Sequence, residues 1–351
     1  MSGSSIGKIF KVTTFGESHG AAVGVIVDGV TPGVSLSEED VQKELDRRKP
    51  GQSSVTTQRK ESDTVHFMSG VFEGKTTGTP LMMIIYNADQ RSNDYDNIKD
   101  LFRPGHADFT YLQKYGIRDY RGSGRASGRE TAGRVAAGAI ARKILKAKGI
   151  DITAYTLQIG SIKCKDYQPG SIDKNPVRAC DPQIAPEMVK LIEKHAAELN
   201  STGGIVECRI NGVPAGIGEP VFDKLDADLA KAIVSLGGVK GIEFGAGFAA
   251  VEMVGSEHND EMTPDGFATN NAGGIIGGIS TGNEIIFRAA IKPTSSISRQ
   301  QQTVTILNKK VICETHGRHD PCLCPRIVPV VEAMCAITIL DMLKQQAAML
   351  A

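Results

Sequence analysis

The residues best suited to chemistry lie between Arg103 and Arg134, where six arginines, one histidine and six glycines fall within thirty-two positions. An arginine side chain ends in a planar guanidinium that binds phosphate or carboxylate through paired hydrogen bonds. Glycines let backbone N–H groups approach an anion closely, and the start of a helix adds free donors and the positive end of its dipole. The stretch therefore predicts an anion-binding site, although a solvated basic loop is the other interpretation of such a composition.

Two turns organise this stretch. In residues 103–106, Arg-Pro-Gly-His, proline fixes φ and glycine frees the next position, so that the imidazole of His106 is held on stiff backbone. Residues 121–130 are predicted to be a loop that feeds a helix beginning near Ser127. A histidine beside several arginines favours a site that binds an anion and also moves a proton.

Three other segments combine chemically useful side chains with loop positions. His19 lies in residues 16–20, a connection between two strand patterns, and loops of this kind often carry function. Residues 292–296 follow a strand pattern and place one lysine and three hydroxyls along a turn that suits a phosphate or a ring carbonyl, or that is only a turn. In residues 318–321 an arginine precedes Asp320, and this cation would hold the carboxylate ionised and ready to accept a proton.

The surrounding pattern predicts the elements that position these segments. One helix begins at Ser37, has an acidic first turn and ends at residues 49–51, Lys-Pro-Gly. Another runs from Ala126 to Leu145, and its small residues predict close packing against a second element. Further helices are predicted at 187–199, from Asp223 and at 328–344, and strands at 65–72, 81–86 and 285–291.

A loose internal repeat suggests how these elements are arranged. Residues 28–33 resemble residues 211–216, and glycines spaced by four precede an apolar strand pattern in both halves of the chain. We interpret the chain as a single domain, residues 1–351, with similar halves at about 1–150 and 204–351 and a peripheral connecting insertion at about 161–200. The Gly-Arg corners at 124–125 and 317–318 would then face each other across one shared core.

Composition narrows the function classes. Lysine plus arginine equals aspartate plus glutamate at 40 each, so the chain has no net positive charge that would attract nucleic acid or an anionic membrane. Aromatic residues make up only 5% of the chain, which leaves few side chains for base stacking. The seven cysteines include no Cys-x-x-Cys pair and no signal peptide is visible, so we expect a reducing cytoplasm. Cys322 and Cys324 are expected to be buried thiols rather than zinc ligands, no metal site is predicted, and the apolar run 327–340 is too short to span a membrane.

Four of the segments above, at residues 16–20, 103–108, 125–131 and 318–321, together resemble the signatures of the chorismate synthase family, and the likeness covers nearly the whole chain. The resemblance implies an α+β fold, a β-α-β sandwich with helices packed between two antiparallel sheets. It implies a lyase that eliminates phosphate in a trans-1,4 sense from 5-enolpyruvylshikimate 3-phosphate to give chorismate, the last common step towards the aromatic amino acids. It also implies a requirement for reduced FMN without net redox change, and a cytoplasmic homotetramer.

The resemblance also assigns residue roles. The substrate carries a phosphate and two carboxylates, and the residues implied to bind it, or to contact NADP, are Arg48, Arg59, Arg103 and Arg129. The implied FMN contacts are Arg125, Ala126, Ser127, Gly237, Gly238, Gly277, Lys292, Pro293, Thr294, Ser295, Ser296 and Arg318. The flavin N5 would take the ring proton, Asp320 would relay it, His19 would set the protonation state of the flavin, and His106 would donate to the leaving phosphate.

Two positions depart from the family pattern. Ser54 stands where relatives often have an arginine, which puts a contact to pyridine nucleotide or substrate in doubt, and Gly237-Gly238 stands where they often have Asn-Ala. We expect NADPH to act only indirectly, through a separate flavin reductase, because no Gly-x-Gly-x-x-Gly opens a helix after a strand. The competing interpretations are another FMN-dependent enzyme acting on a phosphorylated anionic substrate, and a module that binds nucleic acid or phosphorylated ligands.

Overall fold

A computed structural model describes residues 3–53, 55–57, 61–88, 97–315 and 319–350. In chain order the strands are β1 (Ser5–Ile6), β2 (Lys11–Gly16), β3 (Ala22–Asp28), β4 (Val65–Phe67), β5 (Val71–Phe72), β6 (Lys75–Thr76), β7 (Leu81–Tyr86), β8 (Asp151–Ile159), β9 (Ile162–Lys163), β10 (Gly204–Asn211), β11 (Val239–Phe244), β12 (Met262–Thr263), β13 (Gly266–Phe267), β14 (Ile275–Ile276), β15 (Ile279–Ser280), β16 (Ile285–Ile291), β17 (Gln301–Val304) and β18 (Lys310–Cys313). The α-helices are α1 (Glu38–Arg48), α2 (Asp108–Tyr115), α3 (Thr131–Lys146), α4 (Ala185–Ala197), α5 (Leu225–Val234), α6 (Gly255–His258) and α7 (Cys324–Leu350).

The strands build two five-stranded antiparallel sheets. The first has the order β1-β2-β3-β7-β4 and the second the order β11-β16-β10-β8-β9. In the first sheet Val25 lies opposite Thr14 and Met83, and in the second Cys208 lies opposite Phe287 and Ala154. The remaining short strands pair as the hairpins β5-β6, β12-β13, β14-β15 and β17-β18.

Helices fill the space between the sheets, and glycines let them pack closely. A Cβ on Gly133 of α3 would lie 2.8 Å from the carbonyl oxygen of Gly24 in β3, and a Cβ on Gly138 would lie 2.3 Å from the Cβ of Ala333 in α7. Helix α7 in turn packs on β8 and β10 of the second sheet. The predicted α+β sandwich with internal helices is therefore confirmed, as is the burial of the small residues of α3.

Element ends agree with the sequence pattern where a capping residue marks them. Helix α1 has Ser37 as its N-cap and Lys49 as its C-cap, as predicted. Helix α3 begins later than the predicted Ala126, because residues 124–126 and 128–130 form 3₁₀ turns and Ser127 accepts a hydrogen bond from the Arg129 N–H at 3.3 Å. The strand predicted at 65–72 is divided into β4 and β5, since the chain turns at Gly70 with a φ of 84°.

The last helix is longer than predicted and has a proline, Pro329, in its interior. Pro329 has no N–H to donate to the carbonyl of Pro325, four residues earlier. Arg178 supplies the missing donor, since its Nη1 lies 2.8 Å from the Pro325 oxygen. The long helix therefore tolerates a residue that usually ends one. None of the described helices is long and apolar enough to cross a membrane.

The connecting segment 161–200 lies at the edge of the second sheet. Strand β9 is the outermost strand of that sheet, and α4 packs against β8. Met188 and Ile192 of α4 are fully buried. The segment thus covers one end of the second sheet and shares its core.

Candidate active site

Two of the expected arginines meet at a buried aspartate. Arg48 ends α1 and Arg129 lies in the 3₁₀ turn before α3, and both side chains are almost fully buried. Arg48 Nη2 donates to Asp63 Oδ2 at 2.5 Å, and Arg129 Nη1 donates to Asp63 Oδ1. Arg48 Nη1 also donates to the Gly128 carbonyl at 3.2 Å. Asp63 thus joins the end of α1 to the start of α3.

Burial and charge set the ionisation of this cluster. Burial lowers the pKa of Arg48 to about 10, with Asp63 opposing this and Arg326 and Arg129 adding to it. Burial alone would raise the pKa of Asp63, but the Arg48 and Arg129 guanidiniums hold that pKa below its usual value. The Nε of Arg48 is buried without an acceptor among the described residues.

A second network surrounds His106. Arg103 donates from Nε to Asp108 Oδ2 and from Nη2 to Asp108 Oδ1, both at 2.8 Å, and from Nη2 to Ser123 Oγ at 2.8 Å. The same Nη2 lies 3.1 Å from His106 Nδ1. Burial lowers the pKa of His106, Asp108 opposes this, and Arg103 and Lys292 add to it. The unliganded protein therefore favours the neutral imidazole.

The turn at residues 292–296 reaches the His106 turn directly. Lys292 Nζ and Ser295 Oγ each donate to the Gly105 carbonyl at 2.7 Å. The Lys292 backbone N–H donates to the Gly238 carbonyl at 2.8 Å, immediately before β11. The Oγ1 of Thr294 is buried without a hydrogen-bond partner among the described residues. Two expected flavin segments, 237–238 and 292–296, are thus joined by one hydrogen bond, and the second of them is hydrogen-bonded to the expected substrate turn at Gly105. Pro293 and Ser296 lie on the same turn as Lys292.

The arginine-rich loop at 121–130 connects these groups. The ring of His19 packs on Gly122, since a Cβ there would lie 1.9 Å from the His19 Nδ1, and Gly122 has a φ of 56°. Arg125 donates to the carbonyls of Thr14 and Gly16 at 3.2 Å and to Thr14 Oγ1 at 2.8 Å. The Arg125 guanidinium therefore fixes the loop to β2, next to the His19 connection.

Asp320 lies shortly before α7 and accepts a hydrogen bond from the Thr57 N–H at 2.8 Å and another from Arg326 Nη1. We expected Arg318 to be the cation beside this carboxylate, but Arg318, Arg59 and Ser54 lie outside the described residues, as does the corner at 317–318. Arg326 supplies a cation that the sequence did not single out.

Two glycines expected to contact FMN differ in position. A Cβ on Gly237 would meet nothing within 4 Å, beside Gly238 and the Lys292 turn. Gly277 lies in the β14-β15 hairpin, whose Gly278 carbonyl accepts from the Leu225 N–H at 2.8 Å, at the start of α5. No hydrogen bond among the described residues links that hairpin with the arginine networks.

Sequence reasoning missed residues whose role depends on distant partners. Asp63 lies in a polar stretch without a local signal, yet it is fully buried. Asp108 lies in the segment 103–108, but the sequence indicated no role for it. Cys322 and Cys324 are buried thiols, as expected. The other five cysteines are also buried, and none of the seven forms a disulfide. Among the described residues, no group of three or more His, Cys, Asp or Glu side chains could hold a metal ion.

The sandwich fold and its buried arginine and histidine networks define an enzyme that handles an anionic small molecule. A sequence model described as chorismate synthase matches residues 10–343. A chorismate synthase of Nitrosospira multiformis is 53% identical over 342 residues, covering 97% of this chain and 87% of that protein. One of Syntrophobacter fumaroxidans is 52% identical over 341 residues, covering 97% of each. A solved structure titled "Crystal Structure of Chorismate Synthase" has a TM-score of 0.78 at 29% identity, covering 97% of this chain and 93% of that one.

The chain belongs to the chorismate synthase family. It is accordingly a lyase.

Proposed function

We propose that this chain eliminates phosphate from 5-enolpyruvylshikimate 3-phosphate to give chorismate. The carbon–oxygen bond to phosphate breaks, one ring proton is lost and a second ring double bond forms, so that atoms balance without net redox change. The observation that supports this most is that Arg48 and Arg103, from separate elements, are both hydrogen-bonded to the loop at residues 121–130, which itself carries Arg129. A substrate with one phosphate and two carboxylates calls for several such cations.

Each chemical step has a candidate among the described side chains. Arg103 and Arg129 are held in fixed orientations by Asp108 and Asp63, so little side-chain entropy is lost when they bind an anion. His106 donates a proton to the departing phosphate, because a bound dianion raises the pKa that burial lowers in the free protein. Asp320, held between Thr57 and Arg326, relays the ring proton at its carboxylate oxygens.

The family also implies reduced FMN, and the residues present fit such a group. A buried Thr294 hydroxyl without a partner among the described residues, the Lys292 ammonium and the open space at Gly237 suit the polar edge of a flavin. We assign its binding to the residues at 125–127, 237–238 and 292–296, together with Gly277 and Arg318. When bound, reduced FMN supplies a transferable electron and a basic nitrogen. His19 holds a proton beside it, next to Gly122.

We further propose a cytoplasmic homotetramer that receives reduced flavin from a separate reductase, with NADPH acting only through that reductase. Exposed apolar side chains on residues 247–262 support contacts with other copies, since Phe248, Val251 and Met262 are 77%, 85% and 75% exposed. The seven unpaired cysteines support a reducing compartment.

A direct test is anaerobic incubation with chemically reduced FMN and 5-enolpyruvylshikimate 3-phosphate, with chorismate measured by chromatography. We expect chorismate in proportion to enzyme. Folded protein that binds both ligands and forms none would contradict the proposal.

A further inference from the structure

We infer that Asp108 is a positioning residue that fixes the Arg103 guanidinium and, through that guanidinium, the tautomer of His106. This inference rests on the proposed function only for the role of His106 as proton donor. Asp108 is the first residue of α2 and is 4% exposed. It is in direct contact with both groups that we place at the leaving phosphate.

The contacts of the Asp108 carboxylate explain how it holds Arg103. Oδ2 accepts from the Arg103 backbone N–H at 3.1 Å and from Nε at 2.8 Å, and Oδ1 accepts from Nη2 at 2.8 Å. Two parallel hydrogen bonds to one carboxylate fix the plane of a guanidinium, which a single point charge does not. The plane of Arg103 is therefore set by Asp108 rather than by the substrate.

Asp108 is itself anchored from the other side by Arg118. Arg118 Nη1 lies 3.0 Å from Asp108 Oδ1, and Arg118 Nη2 donates to the carbonyls of Ile98, Lys99 and Leu101 at 2.6 to 3.1 Å. Burial opposes ionisation of Asp108, but Arg103 and His106 hold its pKa well below the usual range. The carboxylate therefore stays charged through the reaction and acts as a fixed acceptor.

The surroundings of His106 Nδ1 select one tautomer. Nδ1 lies 3.1 Å from Arg103 Nη2, which can only donate, and 3.3 Å from Asp108 Oδ1, which can only accept. Arg103 Nη2 has two hydrogens for three acceptors, Asp108 Oδ1, Ser123 Oγ and His106 Nδ1, so Nδ1 of the neutral imidazole accepts a shared hydrogen and the ring proton is on Nε2. In the imidazolium Nδ1 donates to Asp108, and Nε2 keeps its proton. His106 thus presents an Nε2–H donor in both states.

The charged groups that face His106 are Asp108, Arg103 and Lys292. Only Asp108 favours the imidazolium, because the other two are cations. Asp108→Asn removes the negative charge beside Nδ1 and leaves both cations in place. The imidazolium should then form only at lower pH.

The test is ¹⁵N NMR of the histidines in the full-length protein, which needs no turnover. In the wild type we expect neutral His106 to be the Nε2–H tautomer; the Nδ1–H tautomer would overturn the inference without any variant. In Asp108→Asn we expect the His106 titration to move to lower pH, and kcat at pH 7 to fall about 10²-fold. Asp108→Glu, which keeps the charge, should restore part of both.

Asp181→Asn is the matched control, because Asp181 is an equally buried carboxylate that accepts from the backbone N–H groups of Lys165 and Gln183, away from the site. It should lower stability without moving the His106 titration. If Asp108→Asn behaves in the same way, Asp108 is merely structural and the inference fails. If Asp108→Asn shifts the His106 titration but the wild-type protein forms no chorismate, the result contradicts the proposed function alone.

Discussion

At the scale of single residues, Asp63 explains why two buried guanidiniums can lie beside each other. It sits at a φ of 51°, a conformation that aspartate and asparagine tolerate better than most residues. Asp63→Asn therefore removes charge without new backbone strain. Since breaking a buried ion pair typically costs about 3–5 kcal/mol, we expect the unfolding free energy at pH 7 to fall by about that amount in denaturant titrations.

The pH dependence of this loss follows from the lowered pKa of Asp63. A carboxylate with a depressed folded-state pKa stabilises the protein above its unfolded-state pKa, about 4, and this contribution disappears as pH falls through the folded-state value. The difference between wild type and Asp63→Asn should thus shrink in acid. Asp46→Asn, which breaks a surface pair with Lys49, should cost under about 1 kcal/mol. A deficit of Asp63→Asn that persists unchanged in acid would argue against the assignment.

The two histidines should be separable by their effects on turnover. His106 lies in the Arg103 turn and His19 packs on Gly122, so they serve different groups. General acid assistance is typically worth about 10²- to 10⁴-fold, and either alanine variant should be severely slowed. A substrate analogue with a better leaving group than phosphate should rescue His106→Ala and leave His19→Ala slow, measured as kcat. Equal rescue of both would show that the roles are wrongly assigned.

At the scale of elements, the sequence predicted what depends on local signals. The ends of α1, the bounds of β7 and β16 and the burial of α3 follow from caps, turn glycines and periodicity. The ion-pair partners did not, because Arg48 and Asp63, or Asp320 and Arg326, come together only through tertiary packing. The start of α7 at Cys324, before the predicted 328, escaped prediction for the same reason, since a distant arginine satisfies the carbonyl that Pro329 leaves free.

The two five-stranded sheets share one pattern of strand connectivity, and the predicted internal duplication would produce such a pattern. The run β2-β3-β7-β4 in the first sheet has the same connectivity as β8-β10-β16-β11 in the second, and α1 and α5 occupy equivalent places between the second and fourth members. The hairpins β5-β6 and β14-β15 correspond as well. The ancestry of the two halves stays a prediction.

The contact between α3 and α7 gives an element-scale test. A Cβ on Gly138 would lie 2.5 Å from the Ala333 Cα, which is backbone and cannot yield easily. Overpacking of a core typically costs about 1–3 kcal/mol, against a gain of about 1 kcal/mol from replacing a helical glycine by alanine. We expect Gly138→Ala to be less stable in urea unfolding. Gly170→Ala, at a position with no atom within 4 Å, is the control and should change little; a Gly138 variant as stable as this control would refute the packing argument.

At the scale of the whole molecule, the site draws on both halves of the chain. The 292–296 turn of one half donates two hydrogen bonds to the Gly105 carbonyl of the other. The expected flavin segment is therefore hydrogen-bonded directly to the expected substrate segment. A ligand that orders one segment lowers the entropic cost of ordering the other. We expect saturating substrate to tighten reduced FMN binding by about 5-fold or more in anaerobic titrations. An unchanged flavin affinity would mean that the two segments are uncoupled.

The central claim is an elimination at this site that consumes no reducing equivalents. The most direct measurement follows phosphate, chorismate and the flavin spectrum together in one anaerobic reaction with excess 5-enolpyruvylshikimate 3-phosphate and a limiting amount of reduced FMN. The account predicts one phosphate per chorismate over many turnovers, with the flavin still reduced at the end. Flavin oxidised in proportion to substrate consumed, or phosphate released without chorismate, would contradict it.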